Sequence, residues 1–194
     1  MVQDSPARLL LDAAELLVSV QGPRGLSMRA VADEVGTTTR AIYSLFGSKE
    51  GLIAALGVRA FDLLGAAVNA VPVTDDPAAD LVEAGAGAFS STLHGASRPV
   101  QTRRAAGRRH AQLVEIRIAA NRAWVALQTR VERLQRDRRQ ACVDVQEAVK
   151  AFHALCEGLA ALELRGFVSG EGEWRMALTA LVNGLGSGAV SKAI

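Results

Sequence analysis

The sequence has few of the residues that mark exported, disulfide-bonded or membrane-embedded proteins. Its two cysteines, Cys142 and Cys156, lack CxxC spacing, which argues against a disulfide framework and favours reduced or buried thiols. No uninterrupted apolar run reaches the length of about 18 residues that a membrane span needs. Asp4 stands where an export signal has a basic region, so we expect a cytoplasmic protein without membrane contact.

Strand signals are also scarce. Only five prolines are present, and apolar residues recur at intervals of three and four instead of alternating with polar ones. Hydrophobic residues make up 49% of the 194-residue chain, enough for a substantial core. The sequence therefore predicts an all-α fold of about nine helices, with an N-terminal three-helix domain and a larger C-terminal helical bundle.

The first 70 residues predict four helices, whose ends are marked by capping residues. Ser27, Thr38 and Ser48 can each cap the helix that follows, and Gly36 and Gly47 can end the second and third. The first helix carries an apolar stripe of Leu9, Leu10, Ala13, Leu16, Leu17 and Val20 and stops at Gly22-Pro23. Two short helices joined by a tight turn and flanked by further helices are typical of a helix-turn-helix.

The second of these short helices has side chains suited to a DNA major groove. Thr39, Arg40 and Ser44 lie on its exposed side, where they can reach base edges. Tyr43 and Lys49 can donate hydrogen bonds to phosphate oxygens, as can hydroxyl groups around the turn. The predicted DNA-binding residues are Ser27, Thr37, Thr38, Thr39, Arg40, Tyr43, Ser44 and Lys49. A purely structural helical hairpin explains the same periodicity.

The stretch from Ser27 to Leu52 resembles the TetR family of transcriptional regulators. The family pattern has a Ser or Thr cap, an apolar-Ala pair, a Gly before the turn, and then Tyr, Phe and Lys ahead of an apolar helix. The matching residues are Ser27, Val31-Ala32, Gly36, Tyr43, Phe46, Lys49 and Leu52. The turn TTTRA departs from the usual small-apolar, Ser, basic and Gly sequence, so no base preference follows. The resemblance implies a ligand-responsive regulator, usually a repressor, that binds a palindromic operator on double-stranded DNA as a homodimer.

The charge of the N-terminal region restricts how it can bind DNA. Residues 1–50 hold five basic side chains and six acidic ones, so no broad basic surface attracts the phosphate backbone. Affinity must then come from local contacts made by two copies acting together. We expect a DNA-binding domain over residues 1–50, with helix four, residues 49–70, as a connector.

A second domain is predicted after the turn-rich stretch at residues 71–77, and it covers residues 76–194. Within it, residues 98–139 hold twelve arginines and three acidic residues. Three interpretations stay open for this segment: a solvated helix face, an anion site at the mouth of a ligand cavity, or a DNA contact. The residues predicted to bind an unknown small-molecule effector are Phe89, Arg104, Arg108, Trp124 and Leu127.

The last two predicted helices carry apolar stripes that suit a four-helix interface between two subunits. TetR-like proteins usually dimerise in this way, and the run FHALCEGLAAL from Phe152 also resembles the WHG type of TetR C-terminal domain. The predicted dimer residues are Phe152, Leu155, Leu159, Leu162, Trp174, Leu178, Leu181 and Leu185.

The sequence predicts no cofactor, no metal and no enzymatic activity. His153 and Glu157 are one helical turn apart but lack a third ligand. The glycines from Gly184 to Gly188 lack the preceding strand of a nucleotide-binding loop, and no Ser or Cys has an identifiable catalytic base. The alternative function is a helical small-molecule binding protein without sequence-specific DNA binding.

Overall fold

A computed structural model of the chain describes residues 5–22, 25–89, 110–137, 143–163 and 165–186. Within these ranges the protein is helical, without a strand, which confirms the predicted all-α class. The helices are α1 Pro6–Gln21, α2 Met28–Val35, α3 Thr39–Phe46, α4 Lys49–Ala70, α5 Pro77–Glu83, α6 His110–Asp137, α7 Val145–Glu163 and α8 Glu171–Gly186. A π-helical turn, Ala84–Phe89, continues α5.

The chain divides into two compact units. Unit 1 comprises residues 1–62 and 93–120, and unit 2 comprises residues 63–92 and 121–194. The divisions fall within α4 and within α6, so each of these helices supplies residues to both units.

Helices α1 to α4 enclose the core of unit 1. Its most deeply buried side chains are Leu10, Ala14, Val18, Leu26, Val31, Ile42 and Leu52. The predicted apolar stripe of α1 is wrong at Leu9, Leu16 and Val20, which are exposed. The bundle covers a narrow face of α1 centred on Ala14, and leucines on the flanks of that face extend into solvent.

The core of unit 2 is built around α5, α7 and α8. Phe152 and Trp174 are fully buried there, and the Trp174 Nε1 donates a hydrogen bond to Glu163 at 3.0 Å. The π-helical turn packs against α8 at Gly85, where a Cβ atom would lie 2.6 Å from Leu178 Cδ1 and 2.8 Å from Phe152 Cζ. Glycine is therefore the residue that allows this close approach.

Helix α4 is the one described helix that is long and apolar enough to cross a membrane, with a mean hydropathy of 1.7. Core helices of soluble proteins meet the same criterion. Leu52 and Leu56 of α4 belong to the unit 1 core.

Candidate nucleic-acid interface

Helix α2 and the turn after it are fixed by local hydrogen bonds. The Ser27 Oγ accepts a hydrogen bond from the Ala30 amide at 3.0 Å, which caps the helix. At the other end Gly36 has a φ of 70° and a ψ of 35°, a left-handed conformation that glycine adopts without strain. The Thr37 amide then donates to the Ala32 carbonyl at 2.9 Å and closes the turn.

Helix α3 begins immediately after this turn and has two clearly different faces. Its N-cap Thr38 accepts a hydrogen bond from the Ala41 amide at 3.3 Å. Ile42 is completely buried in the unit 1 core and anchors the helix, while half of Tyr43 is exposed. Near the end of the helix, Phe46 packs on the core and Leu45 is exposed.

The start of α4 follows α3 after two residues. Gly47 has a φ of 71°, and its amide donates to the Tyr43 carbonyl at 2.8 Å. The Ser48 Oγ caps α4 by accepting a hydrogen bond from the Gly51 amide at 3.0 Å. Lys49 is the first residue of α4 and is partly exposed. The predicted caps at Ser27, Thr38 and Ser48 are thus confirmed.

Four of the predicted DNA-binding residues share the solvent-facing side of α3: Thr39, Arg40, Tyr43 and Ser44. Ser27 and Thr38 use a lone pair to cap a helix, but a hydroxyl group that accepts one hydrogen bond still has a proton to donate. Both residues are exposed, so their O–H groups are available to an external acceptor. Arg40 is the one charged residue of α3, which gives this face a single positive charge.

Of the five predicted effector-binding residues, the structure describes the side chains of Trp124 and Leu127, and the predicted site stays a prediction. Arg104 and Arg108 lie outside the described residues, as does the Phe89 side chain. Leu127 is buried in unit 2. The Trp124 Nε1 donates a hydrogen bond to Gln146 at 3.1 Å, and its ring meets His153 edge to face with the ring centroids 5.8 Å apart.

The predicted dimer residues separate into two sets. Five are buried within the single chain: Phe152, Leu159, Trp174, Leu178 and Leu185. The apolar stripes at these five positions correspond to the core of unit 2. The remaining Leu155, Leu162 and Leu181 are at least partly exposed, and their interface role stays a prediction.

A pocket in unit 2 that is lined by both charged and apolar residues was not predicted. Asp80 of α5 and Arg130 of α6 are both buried beside it, and Arg133 is partly buried. Spacing did carry a signal for Arg130, because it lies three residues after Leu127 and four before Leu134, on the buried face of α6. In the Arg-rich segment 98–139, the described Arg117, Arg122 and Arg136 are exposed, whereas Arg130 and Arg133 depart from a solvated face.

The described residues contain no group of three or more His, Cys, Asp or Glu side chains able to hold a metal ion. The His153 Nε2 lies 3.6 Å from the Glu157 carboxylate, as the one-turn spacing predicted.

Residues 10–56 match the family model for bacterial regulatory proteins of the TetR family. This range begins in α1, includes the whole helix-turn-helix of α2 and α3, and ends within α4. A search of the curated proteins finds no significant match.

Several solved structures share the fold along nearly the whole chain. A protein of unknown function from Rhodococcus sp. RHA1 superposes with a TM-score of 0.76 at 23% identity, covering 94% of this chain and 96% of that one. The TetR-family transcriptional regulator PfmR from Thermus thermophilus has a TM-score of 0.66 at 22% identity, covering 90% and 94%. A transcriptional regulator from Rhodococcus sp. Rha1 has a TM-score of 0.68 at 19% identity, covering 96% and 100%. The helix-turn-helix region of this chain therefore matches the TetR family of bacterial regulatory proteins, and the whole chain shares its fold with solved TetR-family transcriptional regulators.

Proposed function

We propose that the protein is a homodimeric repressor that binds a palindromic operator in the cytoplasm and is released by a small-molecule effector. It performs no enzymatic reaction in this role. Two copies of α3 enter successive major grooves, about 34 to 36 Å apart along the duplex. The effector releases DNA by binding more tightly to a state of the dimer that does not fit the operator.

The observation that carries the DNA-binding part of this proposal is the two-sided character of α3. Ile42 is buried in the domain core and fixes the rotation of the helix about its own axis. Thr39, Arg40, Tyr43 and Ser44 consequently face solvent together. Arginine can donate two hydrogen bonds to guanine, and threonine and serine can contact base edges or a thymine methyl group.

The dimer part is supported by a face of α7 and α8 that is exposed or partly exposed in the described part of the single chain. On α7 the exposed or partly exposed residues Ala151, Ala154, Leu155, Gly158 and Leu162 recur at intervals of three and four. On α8 the residues Ala177, Ala180, Leu181 and Gly184 do the same. Among the described residues, no atom outside the local helix backbone lies within 4 Å of a Cβ atom placed on Gly158 or Gly184. We call these nine residues the α7/α8 face. Its small side chains allow two helices of a second copy to approach closely.

Selection of bound sequences from a random duplex DNA pool tests the proposal directly. The purified full-length chain is used near physiological salt, where non-specific attachment to phosphates is weak. We expect enrichment of an inverted repeat with half-sites one helical turn apart. The Arg40→Ala variant should bind less tightly and lose discrimination at one position of each half-site, because a direct base contact is worth about 1–3 kcal/mol.

The alternative function, a small-molecule binding protein without sequence-specific DNA binding, makes a different prediction for the same experiment. A folded, dimeric and ligand-free chain that enriches no sequence would favour it and overturn the repressor proposal. Removal of any co-purified ligand before selection is essential, because an effector bound in advance would hide operator binding.

A further inference from the structure

Unit 2 contains a pocket where the end of α4, the α4–α5 loop, α5 and α6 meet. Its volume is about 160 Å³, with Val73, Pro77 and Ala126 forming its apolar wall. Asn69 and Thr129, both exposed, lie among the polar residues that line it. The pocket therefore combines an apolar wall with an accessible polar edge.

The positive and negative charges of the residues that line the pocket do not cancel. Arg133 is engaged on both sides, because its Nη1 donates to the Asp80 carboxylate at 2.5 Å and its Nη2 to the Thr74 carbonyl. Asp80 also accepts hydrogen bonds from the Thr74 amide and hydroxyl, at 2.9 and 2.7 Å. The lining thus includes one carboxylate and two guanidinium groups, which leaves one excess positive charge.

Arg130 supplies that excess charge. It is only 9% exposed, and its Nη2 donates to the Val71 carbonyl at 2.5 Å. Its Nη1 is buried and has no hydrogen-bond acceptor among the residues that the structure describes. Burial lowers the pKa of Arg130, and the nearby Asp80 opposes that change. A buried guanidinium with an unsatisfied N–H is costly, and an anion bound beside it would remove much of that cost.

We propose that this pocket binds a small monocarboxylate, with the carboxylate on Arg130 and a short apolar tail on Val73, Pro77 and Ala126. Because the Nη1 is covered by protein atoms, this proposal requires the Arg130 side chain, which already lines the pocket, to turn toward the ligand on binding. A single excess charge suits a monoanion, and the apolar wall favours an organic acid over inorganic phosphate.

The volume limits the size of the ligand. A cavity of roughly 150 Å³ in an engineered protein holds benzene, so this pocket has room for about six to eight non-hydrogen atoms. Butanoate, pentanoate and hexanoate fall in this range. A ligand of this size binds with a dissociation constant of about 0.1–10 mM. The effector of the proposed repressor would then be a short-chain organic acid, and in that respect the inference rests on the proposed function.

Calorimetric titration of the full-length protein, without DNA, tests the site. The probes are the three acids, their uncharged amides and inorganic phosphate, all at matched ionic strength. We expect the acids to bind and the amides and phosphate to bind at least tenfold more weakly. Arg130→Met should weaken acid binding at least tenfold, whereas Arg136→Gln, which removes an exposed cation elsewhere on α6, should leave it unchanged. Asn69→Asp should also weaken binding, since it places a carboxylate at the exposed edge.

Three results would overturn the assignment: no acid binding to the folded protein, phosphate binding as tight as the acids, or acid binding unchanged in the Arg130→Met variant. If Arg130→Met does not fold, Asn69→Asp decides the question, because residue 69 is exposed and its replacement adds charge without disturbing the core.

The inference and the proposed function can fail separately. Operator binding without any acid binding overturns the ligand class alone. Acid binding without selection of an operator supports the pocket and contradicts the repressor. When both are present, addition of the acid should release the operator from the wild-type protein and should do so at least tenfold less effectively with Arg130→Met.

Discussion

Arg59 of α4 is ion-paired with Asp12 of α1, where its Nη2 lies 2.5 Å from the Asp12 carboxylate. The Nε of the same guanidinium lies 3.2 Å from the Glu15 carboxylate, also on α1, without the alignment of a hydrogen bond. Burial raises the pKa of Glu15, Arg59 acts against this rise, and Asp12 adds to it. Arg59 therefore connects α1 and α4 of unit 1 and compensates the negative charge of two neighbouring carboxylates.

We expect Arg59→Met to lower the free energy of unfolding by about 1–3 kcal/mol at pH 7, because two partly buried carboxylates lose their partner. Without Arg59 the pKa of Glu15 should rise further. A carboxyl group whose pKa is higher in the folded state binds protons on folding, so the loss should shrink as the pH falls from 7 to 5. Urea unfolding at both pH values measures this. Adding Glu15→Gln to the variant should restore part of the stability and remove the pH dependence, and a loss that is equal at the two pH values would contradict the electrostatic account.

Tyr43 and Lys49 are predicted to contact operator phosphates. Tyr43→Phe removes a neutral hydrogen-bond donor and should weaken binding with little change in salt dependence. Lys49→Ala removes a cation from each subunit and should reduce the slope of log affinity against log salt by about 2 for the dimer. Combining them should lower affinity and flatten the salt dependence on any bound sequence.

Fluorescence anisotropy over a salt series provides the measurement for these DNA-binding variants. Lys150→Ala is the matched control, because Lys150 is an exposed lysine of α7 that pairs with Glu147 at 2.6 Å. An unchanged affinity and slope in the Tyr43 and Lys49 double variant would show that both phosphate assignments are wrong.

The helix-turn-helix could be predicted because its determinants are local. Ser27 and Thr38 each cap an amide only three residues away, so the sequence alone indicates where α2 and α3 begin. Arg133 and Asp80 are 53 residues apart, and no local pattern indicates that a buried carboxylate will meet this arginine. Apolar periodicity has a different limit: it places Phe152 and Trp174 on buried faces but cannot tell whether their own chain or a second subunit covers them.

Asp80 should make a pH-dependent contribution to the stability of unit 2. Burial alone would raise its pKa, but hydrogen bonds from Thr74 and Arg133 outweigh burial and lower it. A carboxyl group with a lowered folded pKa stabilises the protein above its unfolded value, about 3.9, and loses that contribution as the pH falls through the folded pKa. We expect Asp80→Asn to lower the free energy of unfolding by about 2–3 kcal/mol at pH 7, and the difference from wild type to diminish below about pH 4.

Urea unfolding at a series of pH values checks the Asp80 prediction. Asp75→Asn is the control, because Asp75 lies in the same loop region and is exposed. It should change stability by no more than about 0.5 kcal/mol. A small effect of Asp80→Asn at pH 7, equal to that of the control, would mean that the Asp80–Arg133 pair makes no net contribution.

The α7/α8 face should be the dimer interface, and Leu162 tests it with the least risk to folding. Leu162 is 39% exposed in the single chain, so Leu162→Glu can hydrate its carboxylate in the monomer. In a dimer the same carboxylate would be buried in an apolar contact and would weaken association at least tenfold. Light scattering should then show a monomer at concentrations where the wild type is dimeric. Operator affinity should fall as the dimer dissociates, because the two half-sites are no longer bound by one linked dimer.

Val125→Glu, at an exposed valine of α6, is the control and should stay dimeric. If the Leu162→Glu protein remains dimeric, the interface lies on another surface. If it is monomeric but keeps full operator affinity, dimerisation is not the source of the DNA affinity of the nearly neutral N-terminal region.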